Sequence, residues 1–202
     1  MNRTKMLFSD LVCAMKLICL ILLFTVVAIN VAFADTDQTD ESWMLLSGYS
    51  TTHPGLGKTR EHVETVDVIL RYRRKLKDTG RDWYRGSHNF LIELPVSYLI
   101  KPDDGRIFGL NFLSSWTLKT SQRYMPYFFV GGGPVYTEAN IPGMGANICG
   151  NYQAGLGLSY KTRKGRSFVL EYRFHHISNA GMKQPNVPLN SSKIIIGISF
   201  PF

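Results

Sequence analysis

Eight segments of the chain alternate large apolar residues with smaller or polar ones, and this period of two constrains the fold more than any other feature. The clearest segment places six apolar side chains on one face of a single strand: Phe90, Ile92, Leu94, Val96, Tyr98 and Ile100. Its opposite face includes Asn89, Glu93 and Ser97. A side-chain period of two indicates a β-strand with two chemically different faces.

The same pattern recurs from one end of the chain to the other. It predicts strands near 43–49, 62–72, 89–100, 108–118, 124–136, 151–160, 168–178 and 191–202. The connections between them alternate between shorter and longer ones, and no segment has the period of an amphipathic helix. The Gly131-Gly132-Gly133 run inside the fifth strand predicts a bend or tight packing.

The two faces of each strand differ strongly in polarity. One face of each strand is almost uninterrupted in its apolar character, with aromatic residues near the strand ends, while the other mixes small and amide residues with five charged ones: Asp67, Arg71, Glu93, Glu171 and Arg173. A strand of ~10 residues matches the tilted crossing of a bilayer core, where only a closed barrel leaves no unpaired edge. Eight strands leave room for side chains and no pore. The sequence predicts an all-β fold, an eight-stranded antiparallel transmembrane β-barrel; a soluble β-sandwich is the alternative.

The amino terminus has the residue order expected of an export signal. Lys16 precedes the uncharged run 17–34, which ends in Ala32-Phe33-Ala34, and this order predicts a signal peptide at 1–34. A membrane-anchor helix is the alternative. The mature domain, 35–202, keeps 20 Lys and Arg against 14 Asp and Glu, a net charge of +6. For an exported protein this charge favours anionic outer-membrane lipids over nucleic acid. Cys149 is alone in this domain and cannot form an internal disulfide.

The seventh strand continues its apolar face into two reactive side chains. Phe168, Leu170, Tyr172 and Phe174 share a face with His176 and Ser178. If both termini face the periplasm, this strand runs outward and ends at the outer leaflet of a Gram-negative outer membrane. An imidazole and a hydroxyl at that point suit a hydrolase whose substrate arrives from the lipid.

The residues that follow resemble a known family. His176-x-Ser178-Asn179-x-Gly181, followed by Lys183-Gln184-Pro185-Asn186, is similar to the motif of the outer-membrane lipid A 3-O-deacylases, the PagL family. The resemblance implies a serine esterase that hydrolyses the 3-O-linked 3-hydroxyacyl chain of lipid A, the lipid portion of lipopolysaccharide. It implies no metal and no cofactor.

The resemblance also assigns roles. It makes Ser178 the nucleophile and His176 the general base, with the backbone amides of Asn179 and Gly181 as oxyanion donors. Residues i and i+2 lie about 6.6 Å apart at ~3.3 Å per residue, so a local bend is needed to bring the imidazole to the hydroxyl. The family's pattern has a Glu twelve residues after the Ser to orient the His, and here that position is Asn190. An amide oxygen can accept the imidazole N–H without supplying a charge, so a weaker site is expected.

Several alternatives stay open at this stage. One is a non-catalytic structural or adhesion barrel with a degenerate site; another is an acyltransferase that requires a phospholipid donor. The sequence also leaves open whether the barrel forms a homodimer. His175 and His176 point to opposite faces of a strand, which argues against a shared metal, and His53, His62 and His88 lie in or near loops without a matching cluster.

Overall fold

The structure is a computed structural model that describes residues 40–121, 123–163 and 165–201, with Trp83 and Pro201 described by their backbone alone. The predicted signal peptide, 1–34, lies outside the described residues. Within this part of the chain no helix has the length and apolar composition needed to cross a bilayer.

In the described part of the chain, nine strands form one antiparallel sheet that closes on itself. They are β1 (Glu41–Thr52), β2 (Glu64–Thr79), β3 (Gly86–Lys101), β4 (Gly105–Gly109), β5 (Asn111–Leu118), β6 (Tyr124–Thr137), β7 (Ile148–Lys161), β8 (Ser167–Ser178) and β9 (Leu189–Pro201), with a 3-10 helix at Asp82–Tyr84. Each strand pairs with its neighbours in sequence except β4 and β5, which do not pair with each other and both lie between β3 and β6. β1 pairs with β9 from Ser42↔Pro201 to Thr52↔Ser191. The sheet is therefore a closed β-barrel, which confirms the predicted fold class.

The ninth strand results from a local loss of hydrogen bonds. β4 and β5 both pair with β3 and β6, and the β3 register is the same on either side of Leu110, with Val96↔Phe108 and Glu93↔Asn111. Pro95 on β3 and Pro134 on β6 flank the interruption, and neither has an amide hydrogen to donate. β4 and β5 thus form one interrupted strand of the barrel wall, and the wall has the eight strands that the sequence predicts.

The polar segment after Tyr72 corrects a predicted boundary. The sequence suggests a connection over 73–86, but β2 continues to Thr79 and β3 begins at Gly86. Arg73 and Arg74 pair with Ser42 and Glu41 of β1 and with Leu91 and Phe90 of β3. The hydrogen bonds between paired strands join backbone groups and do not depend on apolar side chains. The strands can therefore continue through a polar segment, past the point where the apolar pattern ends. The 137–150 connection is likewise shorter, because β7 begins at Ile148.

The two faces of the wall are distributed as predicted. Apolar side chains on the outward face are widely exposed, among them Leu156 at 67% and Ile194 at 60%. The inward face holds a buried network in which Arg71 and Arg173 each bind both Glu93 and Glu171. The lumen contains this charged layer and several apolar clusters. Among the described residues the largest cluster lies toward the end of the barrel where β8 finishes: Val63, Leu99, Ile107, Val135, Ile141, Cys149, Ile177 and Leu189.

The glycine run of β6 packs against neighbouring backbone. A methyl group on Gly132 would lie 2.0 Å from the carbonyl oxygen of Asn151, and one on Gly133 would lie 2.0 Å from that of Leu110. Neither position has room for a side chain. The predicted tight packing at this run is confirmed.

Candidate functional site

A row of polar and aromatic side chains crosses the outward face at the distal end of the barrel, the end opposite β1's first and β9's last residue. Cross-strand pairing places Tyr152 of β7 beside His176 of β8, and His176 beside Asn190 of β9. The amide of His53 donates to the carbonyl of Asn190 at 2.9 Å, which brings the end of β1 to the same row. Residues from β7, β8, β9 and the position that follows β1 thus lie side by side in one row across the wall.

The hydrogen bonds of Asn190 fix the orientation of its amide. Its Nδ2 donates to the carbonyl oxygen of Leu56 at 3.0 Å and to Oγ1 of Thr59 at 2.9 Å. Leu56's carbonyl can only accept, so the amide nitrogen must face the 53–63 loop and Oδ1 must face His176. Asn190 Oδ1 lies 2.7 Å from Nδ1 of His176.

This contact defines the tautomer of the histidine. An amide oxygen accepts and cannot donate, so Nδ1 of His176 carries the proton. In the neutral imidazole Nε2 is then the unprotonated nitrogen, the one able to accept a proton from a nucleophile. The ring also stacks on Tyr152, with ring centroids 4.3 Å apart and planes 16° apart. Two neighbouring strands therefore hold the imidazole in one orientation.

Ser178 is the last residue of β8 and lies on the same outward face as His176. Both side chains are partly exposed. Within the described residues no hydrogen bond joins the Ser178 hydroxyl to the His176 imidazole. The structure thus brings His176 and Asn190 together, and Ser178 lies two residues after His176 on the same face of β8.

The loop after Ser178 is organised around Asn179, which is fully buried. The Asn179 side chain donates to the carbonyl of Lys183 at 2.7 Å and accepts from the amide of Gly181 at 2.9 Å. Its own amide donates to Oδ1 of Asn186 at 3.2 Å. Both backbone amides assigned to the oxyanion are therefore engaged inside the loop, and they would have to exchange these partners to bind a substrate. Gly181 has φ +78°, a conformation that glycine adopts without strain.

Three other histidines differ in the face of the barrel wall on which they lie and in the side chains that they contact. His175 is buried in the lumen, on the opposite face from His176, as its parity predicts. His88 stacks on Trp116 in the wall and contacts Ser114. His53 corrects the expectation that it has no matching cluster: its Nε2 lies 2.8 Å from Oγ of Ser192, a neighbour of Asn190 on the outward face of β9.

Sequence reasoning missed Tyr152, Thr59, His53 and Ser192. Tyr152 and Ser192 have the outward parity that the strand pattern predicts, but parity alone does not give the register between strands. Thr59 is in a loop with no strand signal. Glu171, the nearest acid on β8, lies in the lumen bound to Arg71 and Arg173, as its parity predicts.

Comparison with known proteins gives a family for this arrangement. A family profile described as "Lipid A 3-O-deacylase (PagL)" matches residues 66–199. The chain belongs to the PagL family. The matched range contains Tyr152, His176, Ser178 and Asn190, whereas β1 and the 53–63 loop precede it. A search of curated proteins found no match.

Solved structures show the same fold as this PagL-family chain. The crystal structure of the outer membrane enzyme PagL matches with a TM-score of 0.57 at 16% identity, covering 80% of this chain and 99% of that one. The crystal structure of Neisserial surface protein A, NspA, matches with a TM-score of 0.63 at 12% identity, covering 81% and 98%. At these identities the likeness concerns the barrel fold alone.

Proposed function

We propose that the protein is an outer-membrane lipid A 3-O-deacylase, a serine esterase that removes the 3-O-linked 3-hydroxyacyl chain of lipid A in the outer leaflet. The observation that carries the proposal is the His176–Asn190 contact of 2.7 Å on the outward wall, with Ser178 on the same face. Family membership supplies the substrate class. A site on the outward face meets its lipid from within the membrane and needs no pore.

The reaction begins with Ser178. Its hydroxyl oxygen attacks the ester carbonyl carbon while Nε2 of His176 takes the hydroxyl proton. Asn190 accepts from Nδ1 throughout and keeps the ring in the reactive tautomer. The imidazolium then returns the proton to the sugar oxygen, the carbon–oxygen ester bond breaks, and the acyl chain remains on Ser178. Water, activated by the same imidazole, releases the 3-hydroxy fatty acid.

The tetrahedral oxyanion needs donors close to Ser178. The amides of Asn179 and Gly181 are the nearest assigned donors, and both bind amide oxygens in the free loop. Substrate binding would replace these partners with the oxyanion. The charge-neutral Asn190 stabilises the imidazolium less than a carboxylate, so the site should turn over slowly.

The proposal is tested on the purified barrel in detergent. Lipid A is incubated with the wild type, with Ser178→Ala and with Ser47→Ala, and the products are analysed by mass spectrometry. Ser47 also lies on the outward face, so its alanine variant controls for loss of a wall hydroxyl. The wild type and Ser47→Ala should release one 3-hydroxyacyl chain, whereas Ser178→Ala should release none. Equal release by Ser178→Ala would refute the assignment.

A non-catalytic barrel is the second candidate. Two observations favour it: the missing Ser178–His176 hydrogen bond among the described residues, and the engaged amides of Asn179 and Gly181. Under this function no lipid A is hydrolysed by any variant, and a lipophilic serine-reactive phosphonate leaves Ser178 unlabelled. Labelling of Ser178 that requires His176 would exclude it.

A further inference from the structure

A second polar cluster lies on the outward wall beside the proposed site. Oγ of Ser192 is 2.8 Å from Nε2 of His53 and 2.7 Å from the hydroxyl oxygen of Tyr172. All three side chains are partly or largely exposed on the outward face. We refer to Ser192, His53 and Tyr172 as the hydroxyl cluster.

The register locates the cluster relative to the catalytic residues. Asn190 pairs with His176, and two residues further along β9 Ser192 pairs with Phe174. β9 runs from the distal end toward the chain terminus, so Ser192 lies one step deeper in the wall than Asn190, about 6.6 Å along the strand. Beyond it the outward face of β9 is apolar, with Ile194 and Ile196 more than half exposed.

The cluster is polar where a wall that binds only hydrocarbon would be apolar. Exposed hydroxyl and imidazole groups are costly against lipid tails unless each has a partner. The three groups satisfy one another only in part. Ser192 has one donor and two acceptor positions, and two of these three are used by His53 and Tyr172. Tyr172's oxygen also keeps acceptor capacity beyond its bond to Ser192.

The path of the substrate crosses this point. An acyl chain whose ester carbonyl lies at Ser178 and His176 must extend along the wall toward the membrane centre. Its first carbons then pass the hydroxyl cluster, and its remaining carbons pass Ile194 and Ile196. A hydrogen-bonding substituent near the carbonyl could use the hydrogen-bonding positions of Ser192 and Tyr172 that the cluster leaves unused. A substituent further along the chain would contact only the apolar side chains of Ile194 and Ile196.

We infer that Ser192, held between His53 and Tyr172, is a specificity-determining residue that binds the 3-hydroxyl group of the acyl chain. The inference rests on the proposed function, whose substrate is a 3-hydroxyacyl ester. It adds that the protein selects acyl chains by a hydroxyl close to the ester carbonyl, and that this selection is made on β8, β9 and the end of β1 and not by the motif residues.

The experiment compares two esters that differ by one oxygen atom. Glucosamine carrying 3-O-(3-hydroxydecanoyl) or 3-O-decanoyl groups is presented in detergent micelles, and kcat/KM is measured for each. The wild type should prefer the hydroxylated ester. Ser192→Ala and Tyr172→Phe should each lower the ratio of the two kcat/KM values by roughly 3- to 10-fold, the effect of one uncharged hydrogen bond. Ser47→Ala should keep the wild-type ratio, because Ser47 lies on the outward wall of β1 away from the cluster.

The ratio is a readout that general loosening of the wall does not change, since both esters use the same catalytic groups. A wild-type ratio of one, or a ratio unaltered by both Ser192→Ala and Tyr172→Phe, would overturn the inference and leave the proposed function intact. Complete loss of both activities in a folded Ser192→Ala barrel would also overturn it, because Ser192 would then be a nucleophile activated by His53. Absence of hydrolysis of either ester by the wild type would contradict the proposed function and the inference with it. Heat-modifiable migration on gels verifies that each variant is folded.

Discussion

Oδ1 of Asn190 lies 2.7 Å from Nδ1 of His176, while Nδ2 of the same amide binds the loop that follows β1. One side chain therefore has two functions, since it orients the proposed general base and fastens the 53–63 loop to the wall. A carboxylate could perform the first function but has no hydrogen to donate to the carbonyl of Leu56. The departure from the family's Glu thus coincides with a loop contact that needs an amide.

Removal of the Asn190 side chain should affect catalysis and stability together. In Asn190→Ala the imidazole loses its acceptor, and we expect kcat to fall about 10- to 100-fold, as for the loss of an orienting hydrogen bond. Thr59→Val is the matched control, because it removes the two hydrogen bonds between Asn190 and the Thr59 hydroxyl. It leaves Oδ1 against His176 and Nδ2 against the Leu56 carbonyl. It should lower kcat less than about 3-fold, while thermal stability falls in both. Equal losses of kcat would show that Asn190 acts only through the loop.

Replacement of the amide by a carboxylate should separate the two functions. Asn190→Asp places a negative charge against His176, which stabilises the imidazolium formed in the reaction, so kcat should rise several-fold. The same change sets a carboxylate oxygen against the Leu56 carbonyl oxygen, where Nδ2 now lies at 3.0 Å, and the melting temperature should fall. Initial rates and melting curves on one preparation test both. A variant that is slower than wild type while fully folded would contradict the orienting role.

The ring of Tyr152 should matter for its face and not for its hydroxyl. It stacks on His176 with centroids 4.3 Å apart, and such pairs contribute about 0.5–1.5 kcal/mol. Tyr152→Phe keeps the stack and should keep kcat. Tyr152→Leu removes it and should lower kcat roughly 2- to 10-fold. If the two variants are equally active, the imidazole is held by Asn190 alone.

The sequence predicts most of the barrel because alternation is a local property. The faces of His176 and Ser178, the luminal positions of His175 and Glu171, and the polar lumen all follow from parity along single strands. The interruption at Leu110 does not, because its cause is a proline on each of the two neighbouring strands. Strand ends are also missed where polar segments continue a ladder.

The site depends on relations that a single strand does not contain. The contacts of His176 with Asn190 and Tyr152 require the registers of β8 against β9 and β7, which the turns and the closure of the ring set. The fastening of the 53–63 loop to Asn190 joins segments more than a hundred residues apart. The sequence predicts no role for His53, because its hydrogen-bond partner, Ser192, lies in the last strand and far from it along the chain.

The buried charged layer offers a prediction on stability that is independent of the site. Glu171 is 1% exposed and accepts hydrogen bonds from Arg71, Arg173 and Tyr127. Glu171→Gln keeps the shape but leaves the two guanidinium groups with one carboxylate, Glu93, between them. Breaking a buried ion pair in this way costs about 3–5 kcal/mol of unfolding free energy.

Urea unfolding in lipid vesicles measures this loss of unfolding free energy. Glu138→Gln is the matched control, because Glu138 lies exposed in a distal loop and its replacement should change the unfolding free energy by no more than about 0.5 kcal/mol. Coincident unfolding curves for the two variants would show that the charged layer fills the lumen without stabilising it.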